Sequence, residues 1–356
     1  MNQKIIFTNH VGEAVDDLVA ELGASDVHVI CDVNTSEFVM PLLVNDSKVI
    51  ANAALITVRS GDTNKNIESL SQIWRTLSQN GATRQSVIIN VGGGVITDMG
   101  GFAAATFKRG IKFINIPTTL LAAVDASVGG KTGINFNGLK NEIGTFTEPE
   151  AAIISTIFFD TLTQQELLSG YAEMLKHALL ESRERLAELL NYSVVYPEFD
   201  SERLLTLLEQ SVGVKQRIVE QDLHEQGLRR ALNLGHTVGH AFEAFALQRQ
   251  SPIPHGYAVA WGIVCELIIS NMQLNFPSDT LHQFAAYVKT NYGAFDITCD
   301  DYPALLQLMS HDKKNAGPDK INFSLLRDVG DVVTDCTADP KTISAALDIY
   351  RDLMGL

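Results

Sequence analysis

Cysteine, positive charge and long apolar runs are scarce in this chain, and each scarcity narrows what it can be. The four cysteines, Cys31, Cys265, Cys299 and Cys336, are scattered without Cys-x-x-Cys spacing. That argues against a disulfide framework or a cysteine zinc knuckle and fits a reducing cytosol. Lysine and arginine number 27 against 42 aspartates and glutamates, a formal net charge of −15. Nucleic-acid binding by counterion release needs clustered cations, so a general nucleic-acid surface is not expected. An anionic substrate would need a local basic pocket inside an acidic protein. The opening Met-Asn-Gln-Lys-Ile-Ile-Phe-Thr lacks the apolar core of a signal peptide, and the longest apolar helical stretch, Tyr257 to Ser270, is interrupted by Glu266. Neither a secretory signal nor a membrane span is expected, and the cytoplasm is the expected compartment.

What is present is an ordinary globular composition, 46% hydrophobic and 19% charged over 356 residues. That length exceeds the size at which one core stops growing, so two domains are expected. Asp26 to Cys31, Ser47 to Ile50, Ala54 to Val58, Ser86 to Val91, Lys112 to Ile116 and Ala151 to Ser155 read as strands, separated by helical patterns such as Asn66 to Gln79. This is the pattern of an α/β domain with a largely parallel sheet. Beyond Phe159 long amphipathic helices take over. Thr163 and Glu166 have capping-box spacing; helices follow at Ser201 to Glu220, around His236, at His255 to Gln273 and at Asp339 to Met354. The expected division is an α/β domain over 1–160 and an all-α domain over 161–356.

Two runs carry chemistry. Gly92-Gly93-Gly94-Val95-Ile96-Thr97-Asp98 follows an apolar strand, where glycines let backbone amides approach a pyrophosphate and the next helix adds its positive dipole end. A tight turn would use the same glycines. Thr118 and Thr119 after the next strand, and Asp32 and Asn34 after an earlier one, could reach phosphate or ribose. In the second run, from Ala231 to Glu243, His236 and His240 stand one helical turn apart with His255 downstream. Glu173, His236 and His255 would supply the three protein ligands and open position of a catalytic zinc. Residues so spaced also occur on solvated helix faces, with Glu173 paired to Lys176 or His177.

Taken jointly, Gly92 to Gly110, Ile116 to Asn135 with Asp125-Ala-Ser-Val-Gly-Gly-Lys131, Lys140-Asn141, Glu173-Met-Leu-Lys176, Asn233-Leu-Gly-His236-Thr-Val-Gly-His240 and His255-Gly-Tyr resemble the 3-dehydroquinate synthase family from Asp32 to the Asp312–Asn315 run. The resemblance implies a Rossmann-like nucleotide-binding domain and a helical domain with the active site in the cleft between them. It also implies conversion of 3-deoxy-D-arabino-heptulosonate 7-phosphate to 3-dehydroquinate and phosphate in the shikimate pathway. NAD would be used catalytically: the C5 alcohol is oxidised, phosphate leaves, the ketone is reduced, the ring opens and an aldol closure follows. The temporary ketone acidifies the neighbouring C6 proton, which explains a redox cofactor in a reaction with no net redox change.

Carried over residue by residue, the resemblance makes Glu173, His236 and His255 ligands of one zinc or cobalt ion. Asp125, Lys131, Asn141, Lys176, Lys215, Arg229, Asn233, His240 and Lys314 (or its neighbour Lys313) match substrate-binding positions. Arg109 matches a residue reaching the neighbouring subunit's phosphate site, which implies a homodimer. Asp62, Lys65, Gly93, Gly94, Val95, Asp98, Thr118, Thr119, Leu121, Lys131, Lys140, Phe158, Thr161, Leu162 and Glu166 match the nucleotide side, although the family commonly has glutamate where this chain has Asp62. Related cyclases such as 2-deoxy-scyllo-inosose synthase, whose substrate lacks a carboxylate, and metal-dependent polyol dehydrogenases of the glycerol dehydrogenase type are the competing readings.

Overall fold

The β-branched runs of the first half build one parallel sheet. The computed structural model describes residues 3–137, 139–195, 199–222, 225, 227–310 and 321–356. The chain divides into two units, Met1–Thr163 with Asp200–Val212 and Gln164–Phe199 with Gly213–Leu356. The strands described in the first are β1 (Lys4–Phe7), β2 (Val27–Asp32), β3 (Ala54–Val58), β4 (Val87–Gly92), β5 (Lys112–Pro117), β6 (Lys131–Phe136), β7 (Leu139–Phe146) and β8 (Ala151–Ile154). Six of them pair in the order β1-β8-β5-β4-β2-β3, every pairing parallel, while β6 and β7 form a separate antiparallel hairpin. Every residue of β4 is buried, as a strand covered on both faces must be. From β2 the chain steps to β3 on one side and then returns to β4 on the other. The sheet therefore has its topological switch between β2 and β4, where ligands of open α/β sheets bind at the strands' carboxyl ends.

The helices of this unit are α1 (Val11–Leu22), α2 (Val33–Phe38), α3 (Met40–Asp46), α4 (Lys48–Asn52), α5 (Ile67–Gln79) and α6 (Gly94–Thr106). Leu70, Ile73 and Leu77 of α5 and Ile96, Met99 and Ala103 of α6 bury against Ile30, Ile56 and Ile88 of the sheet. The expected strand from Ser47 to Ile50 is instead the start of α4. Ser47 caps it by accepting the Ile50 amide at 3.0 Å, and Asp16 of α1 accepts the Lys48 and Val49 amides, each at 3.1 Å. A short β-branched run does not distinguish strand from helix; the distant carboxylate decides it.

The second unit is helical, as expected, with one antiparallel hairpin added. Its helices are α7 (Gln164–Glu181), α8 (Arg183–Leu190), α9 (Ser201–Gln221, whose residues fall partly in each unit), α10 (His236–Gln248), α11 (His255–Leu274), α12 (Ser278–Tyr292), α13 (Tyr302–Ser310) and α14 (Pro340–Met354). The hairpin is β9 (Ile321–Asp328) with β10 (Asp331–Ala338). Asp339 caps α14, accepting the Thr342 amide at 2.7 Å, with Pro340 at the first helical position, the start signal read from sequence. By length and composition α11 could cross a membrane, but most of it is buried inside the unit. It packs against α7, α10, α12, α14 and β9.

Helix α6 lies so close to the sheet that a Cβ on Gly100 would sit 1.9 Å from Asn90 Oδ1. Asn90 is fully buried and donates to Asn115 Oδ1 at 2.9 Å, so it has little room to move. Gly100→Ala is expected to destabilise the protein by about 1–3 kcal/mol through overpacking, read as a lower denaturation midpoint in urea.

Candidate active site

The carboxyl ends of β2, β4 and β5 carry the residues expected to meet a nucleotide. Gly93 caps α6 with no side-chain hydrogen bond, so the first-turn amides of that helix are offered to an anion. A Cβ on Gly93 would lie 3.2 Å from Thr119 Cγ2, showing how closely the threonine covers the loop. Thr118 is buried and its amide bonds Gly92 O at 3.0 Å, tying the β5 loop to the β4 loop. Asp32 ends β2, and its Oδ1 is taken by the Thr35 amide at 2.8 Å. Asn34 is exposed on α2.

Lys65 is the centre of a polar cluster. It is buried, and its Nζ contacts Asp98 Oδ2 at 2.6 Å and Asn141 Oδ1 at 2.5 Å. Asn135, which the sequence reading assigned no role, accepts the Asn141 amide at 3.0 Å and donates to Asp62 Oδ2 at 3.2 Å. Asn141 sits at φ 52°, a conformation asparagine tolerates better than most residues. A lysine expected on the nucleotide side thus touches an asparagine expected on the substrate side. Lys131, Lys140 and Asn141 are exposed on the hairpin β6–β7. Leu121 precedes the π-helical turn Ala122–Ala126 that holds Asp125.

Phe158 is fully buried, so a nucleotide contact there would fall to its backbone. Thr161 donates its hydroxyl to Phe158 O at 2.7 Å, Leu162 caps the same 3-10 turn, and Glu166 is exposed in the first turn of α7. Arg109 is exposed in a turn where it and Lys108 have φ of 68° and 50°. It lines a recess with Thr83, Arg84, Thr106 and Lys108.

In the second unit two imidazoles converge on a buried acid. Glu173 is fully buried in α7. His236 Nε2 at the start of α10 and His255 Nε2 at the start of α11 each lie 3.6 Å from Glu173 Oε1, too far for a hydrogen bond. Oε1 has no hydrogen-bond partner among the described residues, while Oε2 pairs with Lys176 Nζ one turn along. The outer nitrogens are fixed. His236 Nδ1 faces Leu234 O at 3.2 Å and His255 Nδ1 faces Glu243 Oε2 at 3.0 Å. With protons on those Nδ1 atoms and none on Nε2, two Nε2 lone pairs and a carboxylate oxygen would point at one place, an arrangement that a divalent cation satisfies. A divalent ion fits the donor set, two nitrogens and one oxygen with Nδ1 hydrogen bonds behind. His240 is exposed, its ring 5.2 Å from that of His236.

Three cations of the second unit are buried: Lys176, Lys215 and Arg229 are 1%, 5% and 3% exposed, and Lys176 is paired with Glu173. Arg229 is held through its backbone amide by Asp222 Oδ2 at 3.0 Å, and Asn233 donates to Glu225 Oε1 at 2.9 Å. Lys314 lies outside the described residues.

Without a metal, the electrostatics make His236 a free donor and put a proton on His255. Burial would raise the Glu173 carboxyl, but the Lys176 ammonium and the two imidazoles hold it well below the usual range. Burial, with Lys176 beside it, keeps His236 neutral. Burial also opposes a charge on His255, yet the Glu173 and Glu243 carboxylates outweigh it and push its pKa up to about 10.

Solved structures similar to this chain define its fold. A structure of 2-deoxy-scyllo-inosose synthase complexed with carbaglucose-6-phosphate, NAD+ and Co2+ has a TM-score of 0.82 at 21% identity, covering 98% of this chain and 96% of that one. The 2-epi-5-epi-valiolone synthase of Streptomyces hygroscopicus subsp. jinggangensis, with NAD+ and Zn2+ bound, gives 0.81 at 24% identity, covering 98% and 97%. The glycerol dehydrogenase of Schizosaccharomyces pombe gives 0.66 at 14% identity, covering 99% and 90%. The class is therefore the dehydroquinate synthase-like fold, an α/β unit with a parallel sheet followed by a helical unit. Residues 55–169 match the family model described as 3-dehydroquinate synthase N-terminal, and residues 170–315 the one described as 3-dehydroquinate synthase C-terminal. The 3-dehydroquinate synthase of Parabacteroides distasonis is 48% identical over 354 residues, covering 99% of both chains, and that of Clostridium tetani 38% identical over 283 residues, covering 79% of this chain and 74% of its own. The chain belongs to the 3-dehydroquinate synthase family.

If the triad takes up a divalent ion, the proton on His255 must leave. Loading the metal-free protein with Zn2+ or Co2+ is expected to release about one proton per ion between about pH 7 and 9, with affinity falling as pH falls. Calorimetry in buffers of different ionisation enthalpy reads this directly; uptake without proton release would remove His255 from the ligand set.

Proposed function

We propose that this chain converts 3-deoxy-D-arabino-heptulosonate 7-phosphate to 3-dehydroquinate and phosphate as a cytoplasmic homodimer, using NAD and one zinc or cobalt ion per subunit. The reading is carried by the 48% identity across 99% of both chains to a 3-dehydroquinate synthase. The convergence of Glu173, His236 and His255 supports it at the level of chemistry. In the division of labour proposed, residues 1–160 hold the nucleotide and 161–356 the metal and substrate. When bound, NAD supplies a reversible hydride acceptor and the metal polarises the substrate oxygen at the carbon being oxidised.

The roles proposed for the chain's own residues follow from charge and burial. Lys176, Lys215 and Arg229, all buried, bind the carboxylate and phosphate, with arginine able to grip a carboxylate through two parallel hydrogen bonds. Asn233 and His240 orient hydroxyls beside the metal. Asp125, Lys131 and Asn141 act from the first unit, and Lys314 joins the phosphate contacts. The Gly93–Gly94–Val95 amides take the pyrophosphate, with Asp98, Thr118 and Thr119 beside them. Asp32, Asn34 and Asp62 serve the nucleoside, and Lys65, Leu121, Lys140, Phe158, Thr161, Leu162 and Glu166 complete that side. Arg109 reaches the phosphate site of a second copy, a role suited to an exposed arginine in a strained turn.

Phosphate release with NAD far below substrate tests the reading. Many phosphates per NAD, sensitive to a chelator and without NADH accumulation, are expected; stoichiometric NADH or no release would reject it in favour of a polyol dehydrogenase. Lys215→Ala is expected to lower kcat/KM by about a hundredfold or more, with NAD affinity intact by calorimetry. His236→Ala is expected to lose metal retention on gel filtration; full occupancy would withdraw that ligand.

A further inference from the structure

We infer that Glu266 is a positioning residue for His236, an assignment that rests on the metal reading above. Its carboxylate is fully buried in the middle of α11. Oε2 accepts the Gly235 amide at 2.6 Å, and Oε1 accepts the Thr237 and Val238 amides at 3.0 and 3.2 Å. Those three amides bracket His236 and belong to the opening of α10, where backbone N–H groups have no acceptor within the helix. The carbonyl that fixes the His236 ring, Leu234 O, belongs to the same turn. One side chain therefore holds the backbone on both sides of a ligand, and through it the ring.

The turn is also pressed against α11. Gly235 is left-handed at φ 80°, and a Cβ there would lie 2.4 Å from Ile263 Cγ1 and 2.9 Å from Val259 O. A Cβ on Gly262 would lie 2.1 Å from Gly235 O. Helix α11 begins with His255, so one helix carries one imidazole and, through Glu266 and these glycine contacts, fixes the backbone of the other. A buried carboxylate is costly to desolvate. Three amides and the positive end of α10 offset that cost, and the return is a preformed distance between two donors.

The test uses the whole protein stripped of metal. Wild type and Glu266→Gln are titrated with Co2+ while the visible ligand-field absorption is followed, and NAD affinity is measured in parallel. The amide nitrogen of glutamine cannot accept, so cobalt binding is expected to weaken about 10–100-fold and the absorption band to shift, with NAD affinity unchanged. Wild-type cobalt affinity and band in the variant would overturn the inference while leaving the metal reading standing. A wild type that binds no cobalt at the triad would overturn both. Because the variant could fail to fold, amide exchange in wild type gives a second reading. The Gly235, Thr237 and Val238 amides are expected to be equally protected before and after cobalt; protection that arrives only with the metal means the ion, not Glu266, sets the turn.

Discussion

A carboxylate shut away from water has to face positive charge, and the second unit is organised around that requirement at Glu173. Desolvating an ionised carboxyl costs several kcal/mol even after relaxation. Lys176, one turn along the same helix, meets one oxygen. The other is met by two imidazoles on two further helices, at a distance that no hydrogen bond spans. The resulting cluster of donors belongs to no single element. It exists because α10 and α11 pack through glycine with their first residues side by side, and because α7 passes its buried face beneath them.

The first unit solves a different problem, the presentation of backbone amides. A doubly wound sheet turns its glycine-rich loop outward at the place where strand order reverses, with Asp32 ending the neighbouring strand. What the topology leaves undone is the attachment of the β6–β7 hairpin, which has no pairing to the main sheet. Packing of β6 on α6, with Ile134 in the core, supplies it, and polar ties add to it, Lys65 bridging Asp98 to Asn141 and Asn135 bonding Asn141 and Asp62. A charge-assisted contact between the two groups of residues means that a nucleotide displacing Asp98 from Lys65 would also alter the setting of Asn141.

Much of this was legible in sequence because it is periodic. Five of the six parallel strands announce themselves as short apolar, β-branched runs, whereas the four-residue β1 was not read as a strand, and α14 announces itself by Asp339-Pro340. Ser47 to Ile50 did not, since its state is decided by Asp16, far away in sequence. The hairpins were missed for a related reason: β7 is exposed along almost its whole length, so it carries no burial alternation to read. In the site, His236 and His240 stand out by spacing, yet helical spacing alone would pair them with each other. The structure instead brings His236 and His255 to Glu173 and leaves His240 exposed. That choice depends on how two helices cross; donor types suggested the set, spacing left a solvated helix face equally open, and the resemblance to a family favoured the metal. Glu266 was visible solely as an interruption of an apolar run, whereas its meaning lies in three amides of another helix.

The charge distribution separates this chain's chemistry from that of dehydrogenases sharing its fold. A protein with a net charge of −15 repels anions at long range, so an anionic substrate gains little from steering. Attraction must then be local and strong, and buried cations provide it because the low dielectric around them magnifies each contact. Lys176, Lys215 and Arg229 meet that condition. Lys176 is already paired with Glu173, so its burial is compensated within the protein. An anion drawn to the metal group would share that ammonium with Glu173, and a phosphorylated sugar acid gains from this contact where a neutral alcohol does not.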